Sequence, residues 1–132
     1  MAIPKTLGIE TEYGIVHRGT DEPNPISESS LLINAYLAAN GYRADARSEV
    51  IAWDFIDESP GADARGFSPM GSMPPEVETH LVNADLRNGA RYYVDHAHPE
   101  MSTPECADPL SVVLYDRAGE LIVQRSMTAA NE

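Results

Sequence analysis

Glu10 and Glu12 stand two residues apart in Gly8-Ile9-Glu10-Thr11-Glu12-Tyr13-Gly14, interleaved with Leu7, Ile9, Thr11, Tyr13 and Ile15. In a strand that spacing puts both carboxylates on one face, with the glycines leaving room beside them. Like charges so placed repel unless solvated or shared by a cation, and Mg²⁺ is the cation that prefers such oxygens and bridges to phosphates. Taken alone, the pair also fits the polar outer face of an edge strand. A second row changes the balance. Arg91, Tyr93 and Asp95 alternate with Tyr92, Val94 and His96. An Arg, a Tyr and an Asp on one strand face supply a phosphate clamp, a metal-side oxygen and a general base or nucleophile. His98-Pro99-Glu100, Thr103 and Glu105 follow at once. If the two strands are neighbours, their carboxylates converge, and a cation must hold them together.

His96 and His98, with Cys106 downstream, offer a zinc alternative. A continuing strand puts both histidines on the face of Tyr92 and Val94, away from Asp95, and no CxxC pair accompanies them. The zinc reading is therefore the weaker one, and Cys106 reads as a small buried hydrophobe. Neither GxxxxGK[ST] nor GxGxxG occurs, so the common phosphate cradles are absent.

The elements that must position these groups are legible in part. Leu7 to Val16 is expected to form a strand, followed by a polar loop. Ser27 to Asn40 is expected to form a helix capped by a serine and stopped by Gly41, with Leu31, Leu32, Ala35, Tyr36 and Ala39 inward. Glu49 to Ile56 reads as a strand around Trp53, and Asp57 to Pro75, rich in Pro and Gly, as a long loop. Glu76 to Arg87 reads as a short helix with Val77, Leu81 and Ala84 inward. Asn88-Gly89 closes it as a cap or as a turn into the Arg91 to His96 strand. Asp108-Pro109 opens a last helix, whose stripe is Leu110, Val113, Leu114, Leu121 and Ile122, with Gly119 interrupting it. The order β, α, β, loop, α, β, α implies an α+β fold whose sheet carries the chemistry on one face.

The chain has 132 residues, 42% of them apolar, and a formal charge of −12. That size and composition fit one globular domain. The acidity disfavours nucleic acid and anionic membrane as partners and favours bound divalent cations wherever anions are handled. A single cysteine and a start without a signal-peptide pattern lead us to expect a cytoplasmic protein.

Gly8 to Gly14, then Asn88-Gly89-Ala90-Arg91-Tyr92-Tyr93-Val94-Asp95 and His98-Pro99-Glu100, together resemble the Pup ligase and depupylase family, related to glutamine synthetase and the carboxylate–amine ligases. The resemblance runs from Leu7 to about Gln124. Two features are similar to the depupylase branch, whose members are also deamidases of Pup. One is the segment holding Trp53-Asp54-Phe55, Glu58-Ser59-Pro60 and Asp63 to Phe67. The other is Asp95-His96-Ala97-His98-Pro99-Glu100, which in the ligase branch carries one more residue.

The resemblance implies a glutamine-synthetase-like sheet domain with helices on one face. It implies Mg²⁺ ligands at Glu10, Tyr93 and Glu100, with Glu12 supporting the cluster, and ATP contacts at Arg91 and Thr103. Asp95 is the implied catalytic carboxylate, either attacking the carbonyl or activating water. The implied reaction is hydrolysis of the bond between Pup and substrate lysines, with deamidation of a C-terminal glutamine of Pup and with ATP and Mg²⁺ as cofactors. The alternatives are the Pup–protein ligase and a truncated binding remnant. Family members run to several hundred residues. The chain is therefore expected to be an N-terminal part of one catalytic domain, without the small C-terminal domain, inactive alone and prone to self-association.

Overall fold

The computed structural model describes residues 4–19, 23–42 and 82–132. The expected strand at 49–56, the loop at 57–75 and the first part of the 76–87 helix lie outside the described residues. The elements are β1 (Glu10–Glu12), α1 (Pro25–Ala39), β2 (Asn83–Asp85), β3 (Arg91–Asp95), β4 (His98–Ser102) and α2 (Pro109–Ala130). The fold is α+β, with one antiparallel sheet in the order β1-β4-β3-β2.

β1 lies within the expected Leu7 to Val16 strand, and its alternation holds: Ile9, Thr11, Tyr13 and Ile15 are partly covered while Gly8, Glu10, Glu12 and Gly14 are exposed. Regular pairing is confined to Glu10–Glu12, with a separate bridge between Leu7 and Cys106. α1 starts earlier than expected. Asn24, not a serine, is its cap: Asn24 Oδ1 accepts the Ser27 N–H at 3.1 Å, and Pro25 sits in the first turn, where its missing N–H is harmless. The inward face is Ile26, Ser29, Leu32, Ile33 and Tyr36, whereas Leu31 points to solvent.

The helix expected through Arg87 is replaced at Asn83–Asp85 by β2. Tripeptide Asn-Ala-Asp has little strand character of its own, but its backbone pairs with Tyr93, Tyr92 and Arg91 of β3. The loop Arg87-Asn88-Gly89 closes this hairpin, with Gly89 at φ +84 and hydrogen bonds Leu86 N to Ala90 O and Gly89 N to Leu86 O. A left-handed glycine ending a three-residue loop is the usual way to join such strands.

β4 is an element that the reading of one continuous Arg91 to His96 strand did not separate. His96 (φ 44) and Ala97 (φ 64) both adopt left-handed backbone and fold β3 straight back on β4. Two positive-φ residues between paired strands match the twist of a tight hairpin. Neither is glycine, so each costs about 1 kcal/mol or more. Buried Ser29 on α1 offsets part of this by donating its hydroxyl to Ala97 O at 3.1 Å.

Asp108 caps α2 as expected, accepting the Ser111 N–H at 3.0 Å ahead of Pro109. The buried stripe of α2 is nevertheless Val112, Gly119, Ile122, Val123 and Ser126; Leu110, Val113, Leu114 and Leu121 are exposed. Of the expected stripe, only Ile122 is inward. Gly119 is the reason for the rotation: a Cβ there would lie 3.0 Å from Met101 Cγ, so its absence lets the helix settle on β4. Leu32, Ile33 and Tyr36 of α1, Tyr92, Val94 and Met101 of the sheet, and Ile122 and Val123 of α2 form the core. Both helices thus cover one sheet face and leave the other to polar groups.

Candidate functional site

Residues directly opposite in an antiparallel ladder share a face, so the register alone assembles the site. Glu12 lies opposite Glu100, which lies opposite Tyr93, which lies opposite Asn83. Glu10 lies opposite Ser102, then Arg91, then Asp85. Asp95 lies opposite His98. All these side chains rise from the face that the helices leave open. The expected rows of β1 and β3 are therefore brought together, not side by side but across β4, which supplies the central row His98, Glu100 and Ser102.

The first cluster centres on Tyr93. Its hydroxyl donates to Glu100 Oε1 at 2.5 Å, lies 3.4 Å from Glu10 Oε1 and 3.0 Å from Ser102 Oγ; Ser102 in turn donates to Glu10 Oε1 at 3.1 Å. Burial, then the hydrogen bond to Glu100, pushes the Tyr93 phenol well above its usual range, so it stays a neutral donor. Glu100 is only 4% exposed. Burial raises its carboxyl to about 7, and the charges of Asp95, Glu10 and Glu12 add to the rise against the lowering by Tyr93. Its second oxygen, Oε2, is buried with no hydrogen-bond partner among the described residues. An all-oxygen donor set with one orphaned buried oxygen suits a hard divalent cation such as Mg²⁺.

The second cluster surrounds the β3–β4 turn. Asp95 Oδ1 accepts the His96 N–H at 2.9 Å. His96 Nδ1 stands 3.4 Å from Asp95 Oδ2 and 3.6 Å from Glu12 Oε1, and His98 Nδ1 stands 3.5 Å from Glu12 Oε2. The expectation that both histidines face away from Asp95 is thereby corrected. The left-handed turn resets the alternation, so His96 and His98 join the acidic face. Cys106 is elsewhere: it is buried, bridges Leu7 through its backbone, and donates its thiol to Pro104 O at 3.2 Å.

Arg91 stacks its guanidinium 4.6 Å over the Tyr93 ring and donates from Nε to Asn83 Oδ1 at 2.7 Å, a clamp that holds a cation beside the carboxylates. Thr103 follows β4; its hydroxyl oxygen accepts the Ile9 N–H at 2.9 Å, and its own N–H donates to Ile9 O. Ser102 and Asn83 are site-face residues that sequence reasoning did not single out, whereas His98 was singled out but placed on the opposite face. Ser102 was within reach of period-two counting from Glu100, had the turn at His96-Ala97 been read as a hairpin.

Comparison with known proteins bears on the family of the chain. Residues 5–132 match the model of the family described as Pup-ligase protein. The chain is 46% identical over 125 residues to a Pup deamidase/depupylase of Mycobacterium tuberculosis, covering 91% of this chain and 24% of that protein. It is 43% identical over 131 residues to a depupylase of Acidothermus cellulolyticus, covering 96% of this chain and 25% of that one. A Pup–protein ligase of Bifidobacterium adolescentis is 27% identical over 121 residues, or 91% of this chain and 17% of the ligase. The chain spans about a quarter of the length of the depupylases it matches. With the matched region reaching from before β1 to the end of α2, the chain belongs to the Pup-ligase protein family.

Proposed function

We propose that this chain forms one wall of the catalytic site of a depupylase: an ATP- and Mg²⁺-dependent hydrolase of the isopeptide bond between Pup and substrate lysines, and a deamidase of Pup. The observation that carries the reading is the convergence of Glu10, Glu12, Tyr93, Asp95 and Glu100 on the sheet face opposite the two helices. The identity to depupylases supports it over the ligase, 46% against 27% at equal cover of the chain. Pup and pupylated proteins are the proposed partners, and the remainder of the catalytic domain is proposed to complete the nucleotide site.

Glu10, Glu100 and Tyr93, supported by Glu12, would hold Mg²⁺, which supplies the positive charge that lets these carboxylates stay ionised together and pairs with phosphate. Arg91, already fixed on Tyr93, offers a guanidinium to a phosphate oxygen, and Thr103 a hydroxyl beside the start of β1. Asp95 ends β3 at the lip of the cluster. Its Oδ1 is pinned by the His96 N–H, which fixes the carboxylate's orientation. From there it attacks the carbonyl carbon or takes the proton of the attacking water.

The test uses the protein at its native length with Pup joined to a lysine-bearing reporter, ATP and Mg²⁺. Release of Pup is expected, and Asp95→Asn is expected to lower it by about a thousandfold or more while nucleotide still binds. Full cleavage by that variant refutes the role of Asp95. With free Pup and the unjoined reporter supplied instead, formation of the conjugate without its cleavage would favour the ligase.

A further inference from the structure

The two histidines of Asp95-His96-Ala97-His98 are unused by the proposed reaction, yet the turn carries both onto the acidic face. One donor atom each of Glu12, Asp95 and His96 lies within 4.8 Å of the others. The individual separations leave room for an ion between the donors. His96 Nδ1 is 3.4 Å from Asp95 Oδ2 and 3.6 Å from Glu12 Oε1. These are longer than a good hydrogen bond, at about 2.9 Å. They are also longer than the about 2.9 Å between adjacent donors of an octahedral Mg²⁺ site with bonds of about 2.0–2.1 Å. The edge of a tetrahedron around a zinc-type ion with bonds of the same length is about 3.3–3.4 Å. His98 Nδ1 stands 3.5 Å from the other oxygen of Glu12, outside the three-residue donor set, and holds that carboxylate from its far side. Glu12 thereby bridges the two histidines. The set is open to solvent on the His96 and Glu12 side, so an ion has a way in.

We propose that Glu12, Asp95 and His96, with His98 holding Glu12 from its other side, form a binding site for a borderline transition-metal cation of the Zn²⁺ or Co²⁺ type, beside the Mg²⁺ cluster around Tyr93 and meeting it at Glu12. Imidazole nitrogens select such ions over Mg²⁺, which keeps to oxygen. Occupancy takes up a carboxylate oxygen of Asp95. On the reading of Asp95 as the catalytic carboxylate, the site therefore inhibits: a transition metal silences the enzyme while Mg²⁺ and nucleotide remain in place.

The test separates binding from inhibition. Co²⁺ is titrated into the full chain with Mg²⁺ in large excess, and the visible absorption of the bound ion is followed. The expected result is saturable binding with the intense bands of a tetrahedral site, which excess Mg²⁺ does not displace. His96→Asn is expected to weaken it at least about tenfold, His98→Asn to weaken it too, and Cys106→Ser to leave it unchanged. Binding that Mg²⁺ displaces, or that persists in both histidine variants, overturns the proposal, because it describes an ordinary acidic cluster. Binding that is lost in Cys106→Ser overturns it in favour of a thiolate site. In the native-length protein, Zn²⁺ is expected to inhibit Pup release and His96→Asn to relieve that inhibition. Absence of any Pup release with Co²⁺ binding intact would refute the proposed reaction and leave the metal site standing.

Discussion

Glu100 sits where burial and three neighbouring carboxylates act on one group, and its proton is the chemically informative one on this face. With its folded value near 7 against an ordinary value of 4.5, the folded chain keeps a proton that the unfolded chain has released. Below the ordinary value both states are protonated. Between the two values only the folded state holds the proton, so metal-free stability falls as pH rises through this window and levels off above about 7. The metal-free chain is thus expected to melt at a higher temperature at about pH 5 than at about pH 8, and Glu100→Gln to flatten the difference. Thermal denaturation at the two pH values checks it. Cation binding runs the opposite way, since the ion must displace that proton. Calorimetry of Mg²⁺ binding is expected to show proton release at about pH 6 and almost none at about pH 8. An equal affinity at both would remove Glu100 from the metal cluster.

At the scale of elements, the site depends on two places where the backbone does what side chains alone do not announce. The His96-Ala97 turn holds left-handed backbone without glycine, and its carbonyl is tied to α1 through Ser29. Ser29→Ala leaves that buried carbonyl unsatisfied and is expected to cost about 1–3 kcal/mol. Chemical denaturation measures the loss; an unchanged midpoint would show that the turn stands without the α1 tether. Gly119 is the second place. A valine there forces its branches into Met101 and toward the Tyr13 hydroxyl, 3.0 and 3.6 Å from the position of Cβ. Gly119→Val is expected to destabilise the chain by about 2–3 kcal/mol. Because α2 rests on β4 through that contact, the variant is also expected to weaken Mg²⁺ binding by displacing Glu100. Wild-type binding in the variant would uncouple helix seating from the site.

At the scale of the whole molecule, the core of the described residues lies between the sheet and the helices α1 and α2, but α2 presents a second apolar stripe to the outside. Leu110, Val113, Leu114 and Leu121 recur at helical spacing and are 68%, 59%, 61% and 42% exposed. Such a face associates with itself or with other chain segments in water. Concentration-dependent self-association of the 132-residue chain is expected in sedimentation. Val113→Glu combined with Leu114→Lys is expected to shift it about tenfold or more toward monomer. An unaltered distribution would place the contact elsewhere. Among the described residues no helix is long and apolar enough to cross a membrane. The charge of −12 sets a second whole-molecule property: divalent cations are expected to stabilise this chain more than monovalent salt does at equal ionic strength.

The amino-acid sequence by itself determined the two rows of polar residues, the alternation along β1 and β3, the Asp108-Pro109 start of α2 and the family of the chain. Each rests on local spacing or on an ordered set of motifs, which survive without knowledge of the partners across space. Tertiary structure decided the rest. Asn83-Ala84-Asp85 is a strand only because β3 offers it a ladder, which no property of the tripeptide foretells. α2 buries its small and β-branched face, Gly119 and Ser126 included, because a close seat on Met101 and Tyr92 outweighs burying more leucine. Above all, the side of the sheet that His96 and His98 occupy depends on two backbone angles. Period-two counting assumes an unbroken strand, and a left-handed turn of two residues shifts the phase of everything after it. That shift puts Glu100 opposite both Glu12 and Tyr93, and so makes one site out of two rows.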